Sequence, residues 1–103
     1  MHFVIPFVSA LAPNFPNPFN PETWIPYELA QSCDVKVVIY DIQGRPVRVI
    51  DLGHQEIGQY ITKEQAAHWN GRNDAGETVS SGIYFYQIQA GDFKAMRKMV
   101  ILK

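Results

Sequence analysis

Residue types that commonly carry chemistry are present in this chain, yet their spacing does not assemble them into a reactive site. Oxygen-bearing side chains cluster in Asn70-Gly71-Arg72-Asn73-Asp74-Ala75-Gly76, a run that invites a calcium reading. A helical calcium loop wants D-x-[DN]-x-[DN]-G followed by a bidentate Glu, whereas Arg72 stands at the second ligand position and Ala75 breaks the third. Asx side chains folding back on their own backbone, with glycines supplying positive φ, account for the run as a turn. His2, His54 and His68 share no ligand spacing and read as solvated or hydrogen-bonded histidines. Cys33 lacks a convincing histidine partner in sequence context and reads as a small, half-buried residue rather than an activated thiol. Asp41 and Asp51 fall at opposite ends of one expected hairpin and form no evident acid/base pair. Ser80-Ser81-Gly82 lacks the G-x-S-x-G frame and following helix of a nucleophile elbow, and reads as a turn before a strand. The expectation is a non-catalytic protein with no cofactor and no metal.

Contact chemistry is better represented. In a proline-rich lead-in over residues 13–22, Pro13, Pro16, Pro18 and Pro21 remove backbone donors and push the residues before them toward extended conformations. This stiff segment presents Phe15 and Phe19 at fixed spacing. Either the two rings clamp the lead-in onto the end of the domain, or they belong to an exposed polyproline-like ridge that a partner reads. Trp24, Phe85 and Phe93 are candidates for the outer surface, where exposed aromatics would mark a contact site. Arg97, Lys98 and Lys103 give the last expected strand a modest basic end. A partner could add a strand to that edge with the lysines fixing register, or the lysines simply guard the edge against aggregation.

These positions need a scaffold, and composition supplies the first bound on it. With 103 residues, 47% hydrophobic, 13% aromatic and 18% charged, the chain fits one domain with a buried core and not a disordered tract. Nine Lys and Arg against ten Asp and Glu, spread along the chain, leave no basic excess for neutralising phosphates, which argues against nucleic acid. A single cysteine excludes an internal disulfide and leaves the compartment open, an extracellular one included. The apolar stretch 3–12 ends in Ala10-Leu11-Ala12, which has the small-x-small look of a cleavage site. No Lys or Arg precedes it and Pro13 follows it, so residues 1–12 read as an apolar leader or linker remnant that packs loosely or not at all. At that length it is far short of the roughly 20 apolar residues that span a bilayer.

From residue 13 onward helical periodicity hardly occurs, while β-branched and aromatic runs recur between Gly, Pro, Asn and Asp. Residues 23–30 alternate Ile25, Tyr27 and Leu29 against Trp24, Pro26 and Glu28, with Pro26 demoting the segment to an edge strand. Residues 35–41 form a more buried strand that turns through Ile42-Gln43-Gly44-Arg45 into a third at about 46–52. Residues 55–61 read as a short strand broken at Gly58, residues 62–67 as a turn or single helical turn, and His68-Trp69 as a short strand. A polar loop over 70–82 leads to strand 83–90, a tight turn at Gly91-Asp92 and a last strand over 93–102. The expected core is Ile25, Tyr27, Leu29, Val37, Ile39, Val47, Trp69, Tyr84, Tyr86, Ile88, Met99 and Ile101. The fold class is all-β, an immunoglobulin-like β-sandwich of six or seven antiparallel strands over residues 13–103.

Several of these runs carry a family resemblance. Pro13-Asn14-Phe15-Pro16-Asn17-Pro18-Phe19-Asn20-Pro21-Glu22-Thr23, with Ile25-Pro26-Tyr27-Glu28-Leu29 after it, resembles the opening of type A C-terminal sorting domains of type IX (Por) secretion cargo. The likeness continues through Ile39-Tyr40-Asp41, Gly44-Arg45, Val47, Trp69-Asn70-Gly71-Arg72, Gly76, Ser81-Gly82-Ile83-Tyr84 and the terminal Lys98-Met99-Val100-Ile101-Leu102-Lys103. Asn70 departs from the Asp usual in that family. The Trp69 to Tyr84 half also resembles the immunoglobulin-like domain of the flagellar hook-capping protein family.

The resemblance implies a domain that directs an N-terminal cargo across the outer membrane of a Gram-negative-type envelope, to a secreted or cell-surface location. Its partners would be the outer-membrane secretion machinery and the cargo, often with removal of the domain and anchoring of the cargo. Only about a dozen residues precede the domain here, which departs from the family arrangement and suggests an excised domain or a very short reading frame. Two other classes are carried alongside. One is a structural assembly module of the hook-capping kind, with homo-oligomers through an edge strand. The other is a carbohydrate-binding sandwich, if Trp24, Phe85 and Phe93 line one flat face.

Overall fold

The strongest period-two patterns build the larger sheet. In the computed structural model, which describes residue 6 and residues 8–103, the element order is β1 (Ala10–Leu11), β2 (Thr23–Ile25), β3 (Tyr27–Leu29), β4 (Cys33–Tyr40), β5 (Pro46–Gln55), β6 (Gly58–Tyr60), β7 (Ala67–Trp69), β8 (Gly82–Ala90) and β9 (Phe93–Ile101). A four-stranded antiparallel sheet runs β5-β4-β8-β9. Val35, Val37 and Ile39 of β4 pair with Ala90, Ile88 and Tyr86 of β8, so the apolar residues of both strands share the inner face. The β4–β5 turn is held by Asp41, whose Oδ1 accepts the Gln43 and Arg45 amides at 2.9 and 3.0 Å. Those bonds and the Arg45 guanidinium hold its carboxyl below the usual carboxylate range. Gly91-Asp92 closes the β8–β9 hairpin.

The second layer is assembled from shorter pieces. β2 and β3 are two halves of one strand interrupted at Pro26. On one side lie β1, paired Leu11 to Tyr27, and a bridge from Phe15 to Trp24. On the other lie β6, paired Tyr60 to Tyr27, and β7, paired Ala67 to Ile25. Thr23 to Leu29 is therefore a central strand, and the expectation that Pro26 places it at an edge is corrected. The missing Pro26 amide is tolerated because the facing residue is satisfied elsewhere. Ala12 donates its own N–H to the Pro26 carbonyl at 3.0 Å, while the Ala12 carbonyl accepts the Tyr86 hydroxyl at 2.8 Å.

Of the leader expected over 1–12, residues 1–5 and 7 lie outside the described residues. The stretch nearest the domain is not loose. Ala10–Leu11 is a sheet strand with Leu11 buried, and the Ser9 hydroxyl accepts the Ala30 amide. Residues 62–66 form a turn, with the Gln65 and Ala66 amides donated to the Thr62 carbonyl. Counting the two interrupted edges as single strands, the chain is an all-β, immunoglobulin-like sandwich of seven strands.

Between the layers Trp69, Tyr27, Tyr86 and Phe19 are the largest fully buried side chains. Every expected core residue lies in this cluster, Val47 partly buried, and Leu11, Phe19, Val35, Ala67 and Ala90 join it. Tyr27 stacks flat on Tyr60 at 4.7 Å between centroids, and burial pushes its phenol well above the usual range. Each such ring or branched chain withdrawn from water stabilises the fold by about 1.5–3 kcal/mol, so the core residues that the lead-in adds matter to the whole domain.

Candidate recognition surface

A proline-rich chain cannot make a continuous ladder, so its attachment depends on the few amides it keeps. The lead-in uses them at two points, one on each layer. Phe15 exchanges backbone bonds with Trp24 at 2.9 and 2.8 Å, and its ring stacks on the Trp24 indole. Phe19 donates to the Val100 carbonyl and accepts from the Leu102 amide, both at 3.0 Å, in a parallel bridge to the end of β9. The Asn17 side chain extends this seam by accepting the Val100 amide at 2.9 Å. Polyproline ridges carry no such bonds. The lead-in is a strap across the open end of the sandwich, joining its two layers.

Beneath the strap lies a closed polar group. Asn14, 4% exposed, accepts no hydrogen bond at Oδ1, while its Nδ2 donates to Thr23 Oγ1 at 3.0 Å and to the Pro16 carbonyl at 3.3 Å. Thr23 Oγ1 donates to the same carbonyl at 3.0 Å. The Asn14 amide donates to the Tyr86 hydroxyl at 2.9 Å. Burial pushes the Tyr86 phenol up to about 12, with the Asn14 amide and Arg97 pulling the other way.

Gly71 explains why the Trp69-Asn70-Gly71-Arg72 run belongs with the lead-in. It has φ +76°, and a Cβ built there would lie 2.5 Å from the Pro21 carbonyl oxygen. Only glycine lets the strap pass at that distance. The rest of the loop is held by Asx chemistry. Asn70 Oδ1 accepts the Arg72 amide, and Asn73 Oδ1 accepts the Ala75 and Glu77 amides at 3.0 and 2.9 Å, so these oxygens serve the backbone. Trp69 caps the loop from inside, its indole N–H on the Arg72 carbonyl at 2.9 Å and its face against Phe19 and Tyr84.

The candidate residues thus separate. Phe19 is 2% exposed and packs edge-on against Trp69 at 5.6 Å, so a partner cannot touch its ring. Phe15 is half-buried on the outside of β2. Trp24 stands beside it, with His68 at 5.2 Å and the Lys63 ammonium 4.3 Å above the ring. His68 is in turn paired to Glu22 at 2.6 Å. Phe85 projects from the outer face of the four-stranded sheet, between inward Tyr84 and Tyr86, and Phe93 faces Ala90 and packs on the core. Trp24 and Phe85 belong to opposite layers, so the three aromatics do not make the flat platform that a glycan-binding reading needs.

Of the basic residues, Arg97 is a strut, its Nε on the Leu11 carbonyl at 2.7 Å. Lys103 donates its amide to Ser81 Oγ and its ammonium to the Val79 carbonyl. Lys98 projects beside Phe85. The cysteine thiol of Cys33 is pushed up by burial and by Asp34, which lowers its thiolate fraction. Among the described residues no helix is long and apolar enough to cross a membrane.

Residues 22–92, which hold β2 to β8 and the turn that follows, match the FlgD Ig-like domain family. The chain belongs to that family. Its fold is shared with dimeric latent PorU from Porphyromonas gingivalis, at TM-score 0.65 and 18% identity over 91% of this chain. It is shared likewise with FlgD from P. aeruginosa, at TM-score 0.55 and 26% identity over 71% of this chain. PorZ, an essential bacterial surface component of the type IX secretion system of P. gingivalis, gives TM-score 0.56 and 19% identity over 92%. This FlgD Ig-like domain spans 9% of the PorU chain, 11% of PorZ and 52% of FlgD. No curated protein matches it.

Proposed function

We propose that this domain is a non-catalytic sorting and anchoring module that directs a cargo across the outer membrane, and that the strap and the end of β9 together form what a type IX export machine reads. The observation that carries the reading is their junction. The sorting-domain resemblance extends into residues 13–21 and 98–103, both outside the 22–92 family match. Both segments also serve the sandwich, with Phe19, Met99 and Ile101 in its core, and Phe19, Asn17, Val100 and Leu102 bind them into one surface. The likeness to PorU and PorZ, which includes nearly the whole chain, supports the reading as well. On it, the cargo lies on the N-terminal side and ends secreted or on the surface of a Gram-negative-type cell.

The test is export of a fluorescent protein fused upstream of the full chain, in a host carrying type IX machinery and in an isogenic strain lacking it. Surface fluorescence that needs both the machinery and the Lys98 and Lys103 side chains is the expected result, these being replaced singly because removal of 98–103 would take Met99 and Ile101 from the core. Retention of the intact fusion in the periplasm of the machinery-bearing strain refutes it.

The family match favours one second reading, an assembly module like the Ig-like domain of FlgD. That reading expects defined oligomers of the isolated chain by sedimentation, with no dependence on residues 98–103 beyond folding.

A further inference from the structure

The strap covers only part of the outer edge of β9. Both the amide and the carbonyl of Val100 are used by the strap, as is the Leu102 amide, so even-numbered residues of β9 point their backbone groups away from β8. By that alternation Lys94, Met96 and Lys98 also present N–H and C=O outward. Among the described residues none of these groups has a partner. The opposite edge of the sheet is handled differently. On β5 the Val47 carbonyl and Val49 amide are taken by Asp74, and the Gly53 amide by Asp51. The β5 edge is closed in part by the chain itself, while the β9 edge has no such partners along residues 94–98 among the described residues.

Charge states what fits there. Lys94, Met96 and Lys98 stand in one row on the outer face, Met96 51% exposed between two ammonium groups. Their neighbours on β8 are Gln89, Gln87 and Phe85, none of them acidic. Asp34 and Asp51 line a hollow with Lys94, but neither pairs with it, and no ion pair engages Lys94, Arg97 or Lys98 among the described residues. In the register centred on Met96 a second copy is a poor occupant. A two-fold axis at Met96 would set Lys94 of each strand directly against Lys98 of the other, and like charges directly opposite destabilise a pair of strands.

We infer that residues 94–98 of β9 are a strand-addition site for an extended segment of another protein carrying carboxylate, apolar and carboxylate side chains at alternate positions. Backbone bonds at Lys94, Met96 and Lys98 hold the segment, and its two carboxylates set register against the two lysines. The inference rests on the edge alone and stands whether or not the domain is a sorting signal.

The probe is a blocked, fluorescently labelled peptide T-E-T-V-T-E-T titrated against the full chain, with T-K-T-V-T-K-T as its control. The acidic peptide should bind about tenfold or more tightly than the control, and the double variant K94E/K98E should reverse the order. Met96→Pro removes an outward N–H without costing a β8–β9 bond, and should weaken the acidic peptide about tenfold while leaving the fold intact. Amide exchange gives an independent readout. In the free chain Lys94, Met96 and Lys98 should exchange fast beside protected Ala95 and Arg97, and the acidic peptide should slow those three. Equal binding of the two peptides, or unchanged preference in K94E/K98E, overturns the inference. So does concentration-dependent protection of the three amides without peptide, which would assign the edge to a second copy.

Discussion

Two glycines with nearly the same backbone conformation measure how much the strap contributes. Gly71 and Gly76 have φ of +76° and +83°, so alanine at either incurs the left-handed penalty of roughly 1–2 kcal/mol. Only at Gly71 does the new Cβ meet anything, the Pro21 carbonyl oxygen at 2.5 Å, whereas nothing lies within 4 Å of it at Gly76. Restoring ordinary contact needs the strap to retreat by about 1 Å. Two backbone bonds of Phe19 are then stretched, at about 1 kcal/mol each, along with part of a ring whose full truncation costs about 3–5 kcal/mol. We expect Gly71→Ala to lose at least about 3–4 kcal/mol and Gly76→Ala about 1–2. Urea unfolding of the two variants reads the difference directly. In a Phe19→Ala background, where the ring anchor is gone and only the backbone bonds remain, the excess at Gly71 should shrink. Equal losses for the two alanines in the native background would show that the strap bears no load at Pro21.

Thr23→Val keeps the shape of a fully buried residue but removes the hydroxyl that accepts from Asn14 Nδ2 and donates to the Pro16 carbonyl, leaving those two only their own bond at 3.3 Å, and should cost about 1–2 kcal/mol in urea. Tyr86 is ionised at 10 in the unfolded chain and at about 12 in the fold, so its neutral form favours folding. Its contribution is complete below pH 10 and is lost as pH rises through about 12; Tyr86→Phe should flatten that alkaline decline, and an unchanged slope counts against it. Trp24→Ala on the outer face should cost less than about 2 kcal/mol, against at least about 3 for Trp69→Ala, as thermal melts will compare.

Where a signal is local, the sequence already displays it. Tyr84, Tyr86 and Ile88 alternate along one strand, Gly91-Asp92 turns it, and the partner strand follows with no further information needed. The same holds for Asp41 to Arg45, whose turn is written in adjacent residues. What could not be read is long-range. Phe15 and Phe19 each adjoin a proline and an asparagine, and the arrival of Trp24 beside one and Trp69 beside the other makes them a surface ring and a core ring. Pro26 is admissible in a central strand because a hydroxyl from β8 serves the Ala12 carbonyl, a contact across 74 positions. Leu11 sits in a stretch too short for any period, and Arg97 looks like part of a basic tail until Leu11 is seen to need it. In the candidate site, pattern drew attention to both segments but not to their mutual contact, since no periodicity links Asn17 to Val100.

That last contact has a temporal meaning. Asn17 and Val100 are 83 positions apart, and Phe19 has no seat until residues 100–102 have left the ribosome. A chain interrupted short of them keeps most of the sandwich sequence but leaves an aromatic ring and the face of Trp69 wet, a state that proteases and chaperones distinguish by its exposed apolar surface. The fastened strap is then a sign that β9 has been made and has docked.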